Sequence, residues 1–311
     1  MSKSNKKNNK IILISGPTAS GKSKLAIIIA KKLNGEIINA DSMQVYKEIS
    51  ILSSRPSKID LKKIKHHLYG FISVRKNFSV GHWFKEVKRK IKMIIKKGKV
   101  PILVGGTGLY FKSITTGLSK IPDIDLIKRS SIRNLHKKVG QKEFYKRLIA
   151  LDPKCKKKLL PSDTQRVLRA YEVKKFTKKS IYDWARETRS DFFNFDLRKI
   201  YINTPREVLL ERISKRTKNL ITDKSIYEIR KFLKMKIDKS LPANYIIGVK
   251  EIRKYMDGII TKSQLEELIN IRTRQYAKRQ STWRRGHMNN WEALYNNDFS
   301  VLFKKILKLS S

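Results

Sequence analysis

Apolar and polar positions along this chain follow two rhythms. Ile11-Ile12-Leu13-Ile14 and Ile102-Leu103-Val104 are short runs apolar throughout, the signature of strands buried on both faces. Residues 36–39 make another short strand, and 199–203 a later one. Between these runs the apolar positions recur every three or four residues. Segment 22–33 has that period, and 82–97 carries Phe84, Val87, Ile91, Ile94 and Ile95 on one face before stopping at Gly98. Strands alternating with helices predict a parallel sheet covered by helices on both faces. Ligands of such sheets gather beyond the carboxyl ends of the strands. The turns after 11–14, 36–39 and 100–104 are therefore expected to meet in one crevice.

From 122 to 198 the strand rhythm stops, and helical patterns punctuated by Gly140, Asp152-Pro153 and Pro161-Ser162-Asp163 take over. This predicts an all-helical insertion, after which 199–203 returns to the sheet. Thr204-Pro205-Arg206-Glu207 then reads as an N-cap, a proline at the first helical position and a capping box. The helix it opens carries Arg212 and Arg216 one turn apart. A last long helix is predicted from Thr261-Lys262-Ser263-Gln264 to about Thr282, with Arg272, Gln275 and Arg279 near one stripe and Tyr276 and Trp283 among them. The expected organisation is a basic disordered arm at 1–10, an α/β core at 11–121 and 199–311 ending in basic helices, and a helical insertion at 122–198.

Candidate chemistry begins where the first strand ends. Gly16-Pro17-Thr18-Ala19-Ser20-Gly21-Lys22-Ser23 has the form GxxxxGK[ST], between a strand and an amphipathic helix. The two glycines let the backbone curl so that successive N–H groups face one anion. The start of the following helix adds partial positive charge. Lys22 supplies a point charge, and the Ser23 hydroxyl is placed to ligate Mg²⁺. A plain glycine-rich surface turn does not explain the flanking strand and helix, so a polyphosphate ligand is expected. Asp41 stands at the end of the second strand, where alone it reads equally as a cap for the next helix. Thr107 lies in the glycine turn Gly105-Gly106-Thr107-Gly108. His66-His67 looks like a metal pair but lacks a third ligand at useful spacing, and reads as a surface or packing pair.

Composition changes the picture in one respect. Among 311 residues, Lys and Arg outnumber Asp and Glu 72 to 26, a formal charge of +46. That excess predicts a polyanionic partner, although a chain this rich in Lys, Ile and Asn also fits an AT-rich coding sequence with many solvated lysines. The single Cys155 excludes an internal disulfide and a cysteine zinc site. No run approaches the ~18 apolar residues of a membrane span, and 1–10 lacks the apolar centre of a secretory signal. A cytoplasmic monomer without membrane contact is expected.

Several motifs occur in order: the loop at 16–23, Asn39-Ala40-Asp41-Ser42-Met43-Gln44-Val45-Tyr46, His66-His67-Leu68, Val104-Gly105-Gly106-Thr107-Gly108-Leu109-Tyr110 and Gln165-Arg166-Val167-Leu168-Arg169-Ala170-Tyr171-Glu172-Val173. Ile247-Gly248 and Thr273-Arg274-Gln275-Tyr276-Ala277-Lys278-Arg279-Gln280-Ser281-Thr282-Trp283 come after these. Over roughly residues 11–285 the chain resembles the tRNA dimethylallyltransferase, or tRNA isopentenyltransferase, family. The resemblance implies a P-loop NTPase-like fold and dimethylallyl diphosphate as the donor. The acceptor would be N6 of adenine 37 in the anticodon stem-loop of tRNAs reading codons that begin with U, and diphosphate would be released. It casts Asp41 as the group that takes the amine proton. Lys22, Mg²⁺ held through Ser23, Thr107 and Arg216 would stabilise the leaving diphosphate. Contacts to tRNA are implied for Asp41, Ser42, Met43, Gln44, Thr107, Arg129, Gln165, Arg166, Val167, Leu168, Arg169, Tyr245, Ile246, Ile247, Gly248, Val249 and Lys250. A backbone clamp is implied at Lys278, Arg279, Gln280, Trp283, Arg284 and Arg285.

The chain departs from the pattern at 47–56, where relatives usually show Gly–Thr–Ala–Lys, at Tyr69-Gly70, where an acid is common, and at Val249 in place of a usual Tyr. The rival readings are a P-loop small-molecule kinase or ATPase and a non-catalytic RNA-binding protein. Against an ATPase, strand 100–104 ends in glycines and Thr107 where a Walker-B strand ends in an Asp for Mg²⁺.

Overall fold

The computed structural model describes residues 9–295. Six strands form one sheet: β1 (Lys10–Ser15), β2 (Gly35–Asn39), β3 (His66–His67), β4 (Val100–Gly105), β5 (Asp196–Ile202) and β6 (Glu292–Leu294). They lie in the order β3-β2-β4-β1-β5-β6, and every neighbouring pair is parallel. β2, β4 and β1 are adjacent, so their three downstream loops leave the sheet side by side.

The period of two decides which residue faces which layer. Ile12 and Ile14 of β1 share a core with Ile37, Ile102, Val104, Ile200 and Ile202, covered by Leu25, Ala26 and Ile29 of α1 (Lys22–Lys32). Ile11 and Leu13, equally buried, face the other side. There α3 (Val80–Lys96) packs on β4 and β2 with Trp83, Val87, Ile91 and Ile94 buried. Trp83 takes the place on that face expected of Phe84, which is only half-buried. The indole has a reason to be inside: Nε1 donates to the Asn39 carbonyl at 2.9 Å and the ring stacks on Tyr110. α2 (Lys58–Lys63) and α4 (Gly108–Thr115) complete the first half.

By contact the chain divides into 9–115 together with 194–295, and Thr116–Phe193. The second unit is wider at its start than the expected 122–198 and ends earlier. Its neck explains this: Gly117 lies against the Arg189 carbonyl, and the hydroxyls of Ser119 and Thr188 are 2.8 Å apart. Within it α5 (Leu126–Leu151, kinked at Gly140), α6 (Thr164–Thr177) and α7 (Ile181–Arg186) enclose Ile132, Phe144, Leu148, Cys155 and Val167.

In the first unit α8 (Arg206–Leu220), α9 (Asp223–Lys234), α10 (Val249–Met256) and α11 (Lys262–His287) come after β5. Ile229, Phe232, Ile246, Ile252, Leu265 and Ile269 pack there with Val45, Tyr46, Ile49 and Leu52. The departing segment 47–56 is thus part of a core, and Glu228 anchors it by accepting the N–H groups of Ser50, Ile51 and Leu52.

Four expectations need correction. Residues 1–8 of the expected arm lie outside the described residues, and Lys10 already opens β1. β5 starts at Asp196 because its polar first residues pair with Lys10 and Asn9. The edge strands β3 and β6 are too short to show a period. No capping box forms before α8, because Pro205 keeps an extended ψ of 145° and is itself the N-cap. α11, by contrast, starts at the Thr261–Gln264 capping box and runs to His287. His67 donates Nε2–H to buried Glu36 at 2.6 Å, and Lys99 meets the same carboxylate at 3.0 Å, so this histidine braces the β2–β3 edge.

Candidate active site

The loop after β1 is wound tightly. Ser20 N–H turns back to the Pro17 carbonyl, Ala19 has a φ of 63°, and Gly21 caps α1 at φ 86°. A left-handed φ at alanine costs about 1 kcal/mol and marks a backbone held for a purpose. α1 has no side-chain cap and no acid in its first turn, so its free N–H groups and dipole are left for an anion. The buried Ser20 hydroxyl has no partner among the described residues. Lys22 folds back to donate to the Pro17 carbonyl at 3.0 Å.

Beyond β2, Asn39 shapes the next turn. Its Oδ1 accepts Asp41 N–H at 2.8 Å, and its Nδ2 donates to the carbonyls of Asp41 and Leu68. Asp41 Oδ1 in turn accepts Met43 N–H at 2.9 Å. No helix starts here, so the expected cap is instead an Asx turn that uses one oxygen; Oδ2 has no hydrogen bond to the described residues. After β4 the Thr107 hydroxyl accepts Ser42 N–H at 2.9 Å, joining the two turns. Gly105 must lack a side chain here, because a Cβ would run into the Ala40 carbonyl.

α11 closes the arrangement from the far end of the chain. Gln280 Oε1 accepts Thr18 N–H at 2.8 Å, and its Nε2 donates to the Gly106 carbonyl at 3.0 Å. One turn earlier, Tyr276 lines the cavity, with the Arg279 guanidinium 5.8 Å from its ring centre. One turn later, the Trp283 ring lies where a side chain on Gly108 would stand.

These pieces border a cavity of about 300 Å³. Thr18, Lys22, Ser23, Asp41, Arg216 and Arg279 give its polar wall; Met43, Leu52, Leu220, Ile246, Ile247 and Ile269 give its apolar wall. Arg212 and Arg216 also flank the outer side of the phosphate loop with Lys24. Burial pushes the Lys22 ammonium down to about 8, against the pull of Asp41 and with the push of Arg216. Arg216 is likewise lowered by burial and supported by Asp41. Tyr69, Tyr110 and Tyr276 are raised by burial and then by the Asp41 carboxylate, so all three phenols stay protonated.

Not every residue assigned by resemblance reaches the cavity. Thr107 and Gln280 direct their polar atoms inward, to Ser42 and to Thr18 and Gly106. Gln44 lines the cavity, but its amide N–H groups go to the carbonyls of Ser53 and Ser54. Val249 and Gly248 are buried, whereas Tyr245 is exposed at the rim with Lys250 Nζ 5.0 Å from its ring centre. Lys278, Arg279 and Arg285 are exposed on α11, and Arg284 lies over Tyr201. In the helical unit Gln165 and Arg166 are exposed and Arg129 and Arg169 half-buried, but Val167 and Leu168 are core residues. Asn39, Trp83, Tyr69 and Tyr276 support the site without having been singled out for it. Trp83 had a signal, its i, i+4 spacing to Val87; Asn39 and Tyr276 were visible only as members of motifs and Tyr69 only as a departure from one.

The donor set fits a Mg²⁺ held mainly by a bound diphosphate. Ser23 offers an exposed hydroxyl at the cavity wall, and no group of three or more His, Cys, Asp or Glu among the described residues could hold an ion alone.

Comparison with known proteins gives one answer. The family model described as IPP transferase matches residues 44–287. A tRNA dimethylallyltransferase of Pelagibacter ubique is 53% identical over 304 residues, covering 98% of this chain and 97% of that protein. Another from Rickettsia canadensis is 44% identical over 280 residues, 89% of this chain and 86% of that protein. Among solved structures, a tRNA isopentenylpyrophosphate transferase from Staphylococcus epidermidis is similar with a TM-score of 0.68 and 31% identity, covering 96% and 98% of the two chains. A eukaryotic dimethylallyltransferase acting on tRNA is similar with a TM-score of 0.80 and 27% identity, covering 94% and 75%.

Proposed function

Because this chain belongs to the IPP transferase family and is a prenyl transferase, we propose that it moves a dimethylallyl group from dimethylallyl diphosphate to N6 of adenine 37 in tRNAs reading codons that begin with U. One observation carries the reading: a single cavity joins an anion site, a carboxylate and an apolar wall. A five-carbon chain ending in a diphosphate needs the first and third. A weakly basic aromatic amine needs the second.

The diphosphate lies against the start of α1 with Lys22 and Arg216, and the carbon chain lies toward Leu220, Ile246 and Ile269. Asp41 accepts a hydrogen bond from the adenine amine on the oxygen left open by Met43. As N6 bonds to C1 of the donor, the C1–O bond breaks and its electron pair leaves with the diphosphate. The amine proton passes to Asp41 and then to solvent. Lys22 and Arg216, already fixed and partly dehydrated, meet the charge growing on the leaving group. Ser23 would hold a Mg²⁺ that, when bound, neutralises part of that charge.

Thr107 acts through Ser42, keeping the Asp41 turn in place. Adenine 37 must leave its stack to reach Asp41, and exposed Tyr245 offers a flipped base an aromatic face. Lys278, Arg279 and Arg285 on α11, with Arg129, Gln165, Arg166 and Arg169 of the helical unit, are proposed to hold the tRNA. No described helix is long and apolar enough to cross a membrane; the activity is proposed for a cytoplasmic monomer.

The test combines Mg²⁺, labelled dimethylallyl diphosphate and unmodified tRNA carrying A36–A37, beside a matched tRNA with G37. Label on the A37 tRNA alone supports the reading. Hydrolysis of ATP without transfer would favour a P-loop kinase or ATPase instead.

A further inference from the structure

The resemblance casts Gln280 as a tRNA contact, and its neighbours Lys278 and Arg279 are exposed as such a contact requires. Gln280 itself is turned the other way and buried, 9% exposed. Both ends of its amide are engaged, with Thr18 N–H at 2.8 Å and the Gly106 carbonyl at 3.0 Å, and both bonds are buried. Thr18 belongs to the phosphate loop after β1 and Gly106 to the glycine turn after β4. Gly106 has no room for a side chain, because Gln280 Nε2 occupies the place of its Cβ. One side chain therefore joins the two loops that leave the adjacent strands β1 and β4. A primary amide of this length accepts from one backbone and donates to the other without any change of charge.

We propose that Gln280 is a positioning residue for the diphosphate donor, holding the phosphate loop and the glycine turn at a set separation, and is not a contact to tRNA. The Thr18 N–H is committed to Gln280, which leaves the uncapped start of α1 as the surface that meets the anion. Released from Gln280, the strained turn at Ala19 is free to relax and the first turn of α1 no longer faces a fixed cradle. The same release unlocks Gly106, whose neighbours Gly105 and Thr107 hold the Ala40–Ser42 turn that carries Asp41. This inference rests on the cavity being a diphosphate site.

The experiment measures the affinity of magnesium pyrophosphate, without tRNA, for the full chain and for Gln280→Met and Gln280→Glu between pH 5.5 and 8. Methionine keeps the shape and removes both hydrogen bonds, and about tenfold weaker binding is expected at every pH. Ionised glutamate loses the donor to Gly106, whereas the protonated form restores an O–H donor and a C=O acceptor. Relative to the unaltered chain at each pH, Gln280→Glu should therefore bind poorly at pH 8 and recover toward pH 5.5. Affinity for tRNA should stay within twofold in Gln280→Met. A role confined to fold stability would lower the unfolding midpoint without pH-dependent recovery of pyrophosphate binding, and that result overturns the proposal. So does unchanged pyrophosphate affinity in both variants, or a loss confined to tRNA binding. Failure of the unaltered chain to bind pyrophosphate would instead remove the diphosphate reading itself.

Discussion

Asp41 has one oxygen engaged in its own turn and one open, so the first shapes the backbone and the second is left for chemistry. Asp41→Asn keeps an acceptor for Met43 N–H but cannot take a proton. Single-turnover transfer should fall at least about 10²-fold, with tRNA affinity unchanged; a rate within twofold of the parent would remove Asp41 as the base. Lys22→Ala should weaken donor binding and slow transfer while sparing tRNA affinity, measured by titration of each substrate. Loss of tRNA binding alone would contradict the phosphate role. Both residues were legible because their meaning is local: a spacing within eight residues, or a place at a strand end. Thr107 and Gln280 were legible only as members of a motif. Their partners are 65 and 262 residues away, so what their polar atoms do was not readable there.

At the scale of elements, strand ends and the helices behind them do the positioning. Gly105→Ala pushes a methyl into the Ala40 carbonyl, part of the backbone that carries Asp41. Destabilisation of about 1–3 kcal/mol is expected, read from urea unfolding; an unchanged midpoint would show that the turns separate freely. Glu228 holds 50–52 from α9, and Leu52 of that segment walls the cavity. Glu228→Ala should cost a further few kcal/mol, on the order of the loss of charge-assisted bonds, and raise the KM for donor more than that for tRNA.

At the β2–β3 edge, burial holds His67 below the ordinary histidine range despite Glu36. Burial also opposes ionisation of Glu36, but bonds from His67 and Lys99 outweigh it and leave Glu36 lowered. Both shifts make the unfolded chain bind more protons than the folded one on acidification. Stability should fall as pH drops below about 6.5 and again through the carboxylate range. His67→Gln should flatten the first part of that decline in urea midpoints measured from pH 7 to 5; an unaltered slope would exclude this edge as its source. Long helices and core strands were visible because periodicity accumulates over many residues. Two- and three-residue edge strands offer no period to see.

For the molecule as a whole, charge and its placement are separate matters. A net +46 predicts strongly salt-dependent binding of a polyanion. Many lysines are solvated, so the contacts must be found one at a time. Arg279→Ala and Arg285→Ala should each reduce the slope of log K against log salt for tRNA by about 0.7–0.9. An unchanged slope in the double variant would remove α11 from the tRNA surface. Gln280→Met, between them in sequence but buried, should leave that slope alone.

The sequence by itself determined the parallel α/β core, the phosphate loop, the acid at the second strand end and the family. Each is carried by residues that act through their neighbours in the chain, by periodicity or by fixed spacing. Tertiary structure alone decided how segment 47–56 is anchored, which carbonyl the buried Trp83 indole meets, and that Gln280 joins the phosphate loop to the glycine turn. These depend on pairs far apart in the chain, where burial and a free donor or acceptor exist only once strands and helices have packed.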